Sequence, residues 1–294
     1  MGALLKRLVE CGCSWRLGSG CNGPPGGGRP DVGRHSKRPS GVWGNAVIQD
    51  YQVSERPAWH SIAQEALGVA AAAALFPFGI KRSRRRTPRQ QDQRTVVLIH
   101  GYLTNRSALF PVAAYLRLRG VKQILSFNYS SSAGVEQASL NLREYLRQHV
   151  RGGRIDLVCH SLGGLVARVY IQELGGARRV DRCVTLGTPH RGTYSSYWLN
   201  SRVGSELRPD SLLLSRLHGS RASAPGVRFL SLVAGSDNLI VPRVFASHER
   251  EIHVPDLGHV SMLFSPRVLR MVADYLVTSE ATRTELGRSA ERAA

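Results

Sequence analysis

The sequence predicts an α/β domain over residues 95–279: a mostly parallel sheet with helices on both faces and a short cap inserted at about 193–226. Two observations carry that prediction. Short β-branched runs alternate with longer stretches of helical spacing, the pattern of strands joined by crossover helices. Polar clusters then fall where those runs end, and in an open parallel sheet reactive groups gather at the carboxyl ends of the strands.

The elements follow in order. "TVVLI", Thr95 to Ile99, is the first strand. "SALFPVAAYLRLRG" has helical spacing and stops on Gly120. "QILSFNY" is the second strand and "GVEQASLNLREYLRQHV" the second amphipathic helix. "IDLVC" is the third strand; "LGGLVARVYIQELGG" is the third helix, stopped by Gly175 and Gly176. "VDRCVTLG" and "VRFLSLVAG" are the fourth and fifth strands, and "REIHV" is strand-like. "SPRVLRMVADYLV" closes the domain, with Ser265 as N-cap and Pro266 at the first helical position.

The flanks read differently. Residues 1–50 are rich in Gly, Pro and Arg and cannot bury enough apolar surface to offset chain entropy, so disorder is expected there. This stretch has no signal-peptide core, and its composition fits upstream sequence included by a mis-called start. Gly2 lacks the Ser or Thr that myristoylation prefers, because Lys6 stands there. Within 51–94, Ala66 to Ile80 runs without a charge before "KRSRRR". Such a helix is either packed on the domain or an interfacial membrane anchor, since its length of roughly 22 Å falls short of a ~30 Å hydrocarbon core. As an anchor, with arginines on its C-terminal flank, it would keep the following domain cytoplasmic; as a packed helix it leaves a cytoplasmic protein. Residues 87–94 read as a polar linker, and 280–294 as a polar tail.

The chain has 294 residues and a net charge of +19. Of its 40 basic residues only Lys6, Lys37, Lys81 and Lys122 are lysines. That bias fits codon pressure from a GC-rich genome as well as an anion-binding surface, and no nucleic-acid motif accompanies it. Five cysteines, an odd count without a CxxC pair, argue against a disulfide framework or a zinc site. Cys159 and Cys183 read as buried thiols; Cys11, Cys13 and Cys21 lie in the unfolded stretch. Asp256 alone makes no metal site, and no cofactor is expected.

The chemistry gathers in four clusters: His100-Gly101-Tyr102, His160-Ser161-Leu162-Gly163, Ser236-Asp237-Asn238 and Gly258-His259-Val260. A serine hydroxyl becomes a nucleophile only when exposed, fixed and beside a base. A sharp strand-to-helix turn exposes it at the cost of backbone strain. Gly163 and Gly164 supply small neighbours on the helix side, but Cys159 stands where the pattern G-x-S-x-G has glycine. Asp256 and Glu251 rival Asp237 as the acid, and His253 rivals His259 as the base. His100 and His160 are expected to shape the pocket. "TPHRGT" is expected as a structural turn, with His190 and Arg191 as candidates for lining the site.

"VVLIHGYLTN", "DLVCHSLGGLVARVYI", "VTLGTPHRGT", "SDNLIVP" and "GHVSML" together resemble the bacterial lipase/esterase (triacylglycerol lipase-like) branch of the α/β-hydrolases. The chain order Ser, Asp, His is that superfamily's triad order. The resemblance covers about Thr95 to Ser279 and gives residues 1–94 no part. It implies the α/β-hydrolase fold and a carboxylic-ester hydrolase working on ester or lipid substrates without a cofactor. Carried over, Ser161 attacks, His259 is the base, Asp237 orients it, and the backbone N–H groups of Tyr102 and Leu162 form the oxyanion hole. The segment after Gly192 falls where the family carries insertions above the site. There Tyr194, Tyr197, Trp198 and Leu199 form the expected substrate-binding cluster, and Leu212, Leu213, Leu214 and Leu217 an apolar run of cap or lid. Acyl transfer or thioester cleavage by the same triad, and a weakly active binding protein bearing Cys159, are the alternatives.

Overall fold

The computed structural model describes residues 58–80, 94–220, 224–240 and 250–277, all within the compact unit from Val42 to Ala294. The expectations for residues 1–50, for the linker after Ile80, for the 280–294 tail and for Cys11, Cys13 and Cys21 lie outside the described residues.

Six strands make one parallel sheet: β1 Thr95–Ile99, β2 Ile124–Phe127, β3 Ile155–His160, β4 Val180–Leu186, β5 Arg228–Ala234 and β6 Arg250–Val254. The order across the sheet is β2-β1-β3-β4-β5-β6. The five expected strands are present, and "REIHV" adds the sixth beside β5. β1 and β3 are buried at every position, so they read as nearly unbroken apolar runs. The chain moves outward from β1 to β2, then crosses back to β3 on the other side of β1. That reversal opens a crevice at the carboxyl ends of β1 and β3.

Alternate residues of β1 feed two cores, as a strand's period of two requires. Val96 and Leu98 join Leu116 of α2 (Phe110–Leu118) and Met271 and Val272 of α7 (Pro266–Val277) on one face. Val97 and Ile99 join Leu142 and Leu146 of α3 (Val135–His149) and Val166 and Ile171 of α4 (Leu162–Glu173) on the other.

The upstream helix, α1, spans Ala58–Ile80, 23 residues or about 34 Å. It is longer than the uncharged run and passes through Gln64 and Glu65. α1 lies along the domain. Near one end Ser236 Oγ donates to Ser61 Oγ at 3.1 Å; near the other, Asn105 Nδ2 donates to the Phe76 carbonyl at 2.9 Å. Between them, a β-carbon at Gly68 would stand 2.8 Å from Ser261 Cα, so only bare backbone lets the helix seat there. The resemblance gave residues 1–94 no part, yet α1 packs on the domain through these contacts.

The cap comprises a short 3-10 turn at Tyr194–Trp198, α5 (Arg202–Glu206) and α6 (Leu212–Gly219). Thr193, Ser201 and Ser211 cap the three pieces with their side-chain oxygens. Val203, Leu207, Leu213, Leu214 and Leu217 enter the core shared with α3 and α4. Arg216 pairs with Glu136 and Glu173, and Glu206 accepts from the Val135 N–H at 2.6 Å. The cap is thus clamped to α3 and α4.

Candidate active site

β3 ends at His160 and α4 begins at Leu162, so Ser161 makes the whole turn. Its backbone sits at φ 53°, ψ −124°, a conformation that costs a non-glycine residue about 1–3 kcal/mol. Three contacts hold it there. Ser161 N donates to the Leu186 carbonyl at 2.9 Å, and the Ser161 carbonyl accepts from Thr188 Oγ1 at 2.9 Å and Gly164 N at 3.0 Å. Gly163 is obligatory on the helix side: a β-carbon there would lie 2.6 Å from the carbonyl oxygens of Ile99 and His100. Cys159 meets no such restriction. Its side chain is fully buried in the cluster that also holds Ile99, Phe127, Leu162 and Val166. A thiol is at home in that apolar setting.

His259 precedes the 3-10 turn Ser261–Phe264 and is 5% exposed. Its Nδ1 lies 2.7 Å from Asp237 Oδ2. The other carboxylate oxygen accepts from the backbone N–H groups of Leu239 (2.8 Å) and Ile240 (2.9 Å). Burial works against the Asp237 charge, but the hydrogen bond and charge of His259 and those two amides hold its carboxyl below the usual carboxylate range. An ionised Asp237 accepts, so Nδ1 carries the proton and Nε2 of the neutral ring is the acceptor. Nε2 makes no hydrogen bond among the described residues, and none joins the ring to Ser161 Oγ. The ring nonetheless stands at the serine's end of the sheet. A β-carbon at Gly187, next to the Leu186 that holds Ser161 N, would lie 3.2 Å from His259 Nδ1.

His160 and His100 support this arrangement. His160 Nε2 is 3.0 Å from the His259 carbonyl, and the two rings lie 4.8 Å apart. Burial, then the neighbouring His259, lowers the His160 pKa to about 3. Burial lowers that of His100 to about 4. Tyr129 N donates to His100 Nε2, so the His100 Nδ1–H donates to the Gly101 carbonyl. Both rings are neutral struts. His190 is also structural: it is buried, its Nε2 lies 3.0 Å from Thr185 Oγ1, and its carbonyl accepts from Arg168. Arg191 is exposed. The rivals do not join this pair. His253 and Glu251 bond each other at 2.6 Å on β6, and Asp256 sits in a turn at φ 63° without a bond to His259.

The backbone N–H groups of Tyr102 and Leu162 donate to no acceptor among the described residues. Leu162 is the first residue of α4, where amides are unpaired and the helix end is positive. The loop bearing Tyr102 touches the serine: a β-carbon at Gly101 would stand 2.9 Å from Ser161 Cβ.

Glu65 belongs to no motif, yet it completes the rim. Its Oε1 accepts from Val260 N at 2.8 Å and its Oε2 from Ser261 N at 2.9 Å, capping the turn that follows His259. The one signal in the sequence is that Glu65 is the only carboxylate in Ala58–Ile80. Beside it lies an apolar cavity of about 440 Å³ between Val69, Ala72 and Phe76 of α1 and Leu103, Ala108 and Leu263, with His160 in its lining. The expected substrate cluster does not line it. Trp198 is 83% exposed, Tyr194 and Tyr197 face water with the Tyr197 hydroxyl on Asp210, and Leu199 is half-buried. The cap spends its leucines on anchoring and turns its aromatics outward. No group of three or more His, Cys, Asp or Glu side chains among the described residues could hold a metal.

A sequence profile for a domain of unknown function (DUF7379) matches residues 77–196, which include Ser161 but neither Asp237 nor His259. Among solved structures the chain is similar to the mature form of the Bacillus licheniformis lipase BlEst2, with a TM-score of 0.55, 14% identity, and coverage of 67% of this chain and 96% of that one. It is similar to the propeptide form of the same lipase (TM-score 0.53, 14% identity, 64% and 52% covered). The lin2722 gene product of Listeria innocua matches at a TM-score of 0.52 and 17% identity, with 64% and 96% covered. At such identities the likeness is one of architecture, and with the strand order above it identifies the fold: this chain has the α/β-hydrolase fold.

Proposed function

We propose that this protein is a serine hydrolase of carboxylic esters, lipid or acyl, working through an acyl-enzyme. The observation that carries the reading is Ser161 on its positive-φ turn, at the same strand ends as the buried Asp237–His259 pair. Ser161 Oγ attacks the ester carbonyl while His259 Nε2 takes its proton. Asp237 fixes the ring's tautomer and stabilises the imidazolium. The N–H groups of Tyr102 and Leu162 receive the developing oxyanion, each donor worth about 10²–10³ in rate. The alcohol leaves with the proton from His259, and water then repeats the cycle on the acyl-enzyme. The Ser161–His259 hydrogen bond forms with substrate bound, as catalytic hydrogen bonds commonly tighten in the complex. On this reading the substrate partner is an ester or lipid.

The test is hydrolysis of p-nitrophenyl butyrate by the full chain. Activity that falls to background in Ser161→Ala, with the melting temperature kept, is the expected outcome. Turnover unchanged in that variant removes Ser161 from the mechanism.

A further inference from the structure

α1 has two faces of opposite character. Ser61, Glu65, Gly68 and Gly79 turn to the domain. On the opposite side Ala63, Leu67, Ala70, Ala74 and Phe78 follow helical spacing, and all are exposed, Leu67 at 71% and Phe78 at 66%. The only carboxylate of the helix is used inward, and no Lys or Arg lies within it, so this outer stripe carries no charge. A helix face kept in water is ordinarily polar.

Charge chooses among the surfaces that could cover the stripe. Two copies of a chain bearing +19 repel each other, whereas an anionic lipid surface attracts it. The sequence places "KRSRRR" directly after the helix. Trp59 at its start, and Tyr194, Tyr197 and Trp198 beyond the carboxyl end of β4, are exposed aromatics of the kind that settle at headgroup level. α1 is long and apolar enough to cross a bilayer by length and composition. Its seating from Ser61 to Gly79 instead lays it flat on the domain, the orientation of an interfacial helix. The apolar cavity lies under that same helix.

We propose that the outer face of α1 docks on the surface of an anionic bilayer, and that the cavity beneath it takes a hydrocarbon chain from that surface. Only the fate of the chain rests on the ester-hydrolase reading; the docking is independent of it. The experiment uses the full chain as Ser161→Ala, with and without Leu67→Ser and Phe78→Ser, sedimented with vesicles of equal phosphatidylglycerol and phosphatidylcholine. Binding of the parent, and a roughly 100-fold weaker partition for the double substitution at equal melting temperature, is the expected result. No binding by the parent overturns the proposal. So does equal binding by both, which would assign adsorption to the basic segments alone. Loss of a dimer on sizing in the substituted chain, without a change in vesicle binding, makes the stripe a self-interface and also overturns it. Vesicle binding as expected, with no ester hydrolysis by the unsubstituted chain that retains Ser161, leaves the docking standing and removes the hydrolase reading.

Discussion

The cap and α1 both lie beside the rim that carries Ser161 and His259, and they are built on opposite plans. The cap is short, capped at each piece, and clamped to α3 and α4 by Arg216 and Glu206, with its leucines in the core. α1 is long, barely polar, and seated through two glycines, one serine and one carboxylate. The cap has the apolar content expected of a substrate surface but turns its aromatics to water. α1 lies outside the segments that carry the sequence motifs, yet it walls the cavity and holds the turn after His259. Proximity along the chain to recognisable motifs is therefore a poor guide to which segment meets the site; the partners of individual polar atoms are a better one.

The sharpest way to break this contrast is at Glu65. Glu65→Ala should lower kcat by about 10²-fold on a soluble ester with KM little changed, because two freed amides let the His259 turn shift. Glu65→Gln keeps one acceptor and should recover part of the loss. Equal loss in both variants, or a loss seen only in KM, would deny Glu65 a positioning role. A smaller effect is expected at Ala72, which lines the cavity. Ala72→Phe should cut turnover of long-chain esters roughly ten-fold while sparing butyrate, as filled volume excludes chain. A uniform loss across chain lengths would speak against the cavity as a chain site.

Acid tests the rim differently. His100 and His160 have folded pKa values of about 4 and about 3, below the ordinary value of about 6.5. Below that value the unfolded chain binds protons that the folded chain refuses. Stability from these groups is therefore whole above pH ~6.5 and lost as pH falls toward 4 and then 3, on the order of 3 kcal/mol for His100. Urea unfolding of His100→Gln should show a shallower loss across that window than the parent; an identical slope would contradict the assignment. The smallest effect is expected in the cap. Trp198→Ala should change soluble-ester hydrolysis by less than about two-fold, since an exposed side chain outside the cavity contributes little. A ten-fold loss there would restore the cap as the substrate surface.

Much of this was legible in the sequence. The strands β1 to β5 are apolar runs bounded by polar turns, and a sheet buried on both faces writes itself that way. Ser161, Asp237 and His259 were legible because each follows a strand end or a glycine turn. The site's dependence on α1 was not. Glu65 reaches backbone amides 195 and 196 residues away, and amides carry no signature of residue type. The orientation of Tyr194, Tyr197 and Trp198 was hidden for the opposite reason: aromatic content gives no direction. Cys159 was read against a motif position, whereas the close contacts fall at Gly101 and Gly163.

The central claim is that Ser161 is a nucleophile activated by His259, and covalent capture tests it most directly. Folded full-length protein is treated with a fluorophosphonate ester, and the adduct is located by peptide mass spectrometry. A single adduct on Ser161, lost in His259→Ala and in heat-unfolded protein, is the result this account expects. No adduct on the folded protein, or one on another residue with Ser161 untouched, would contradict it.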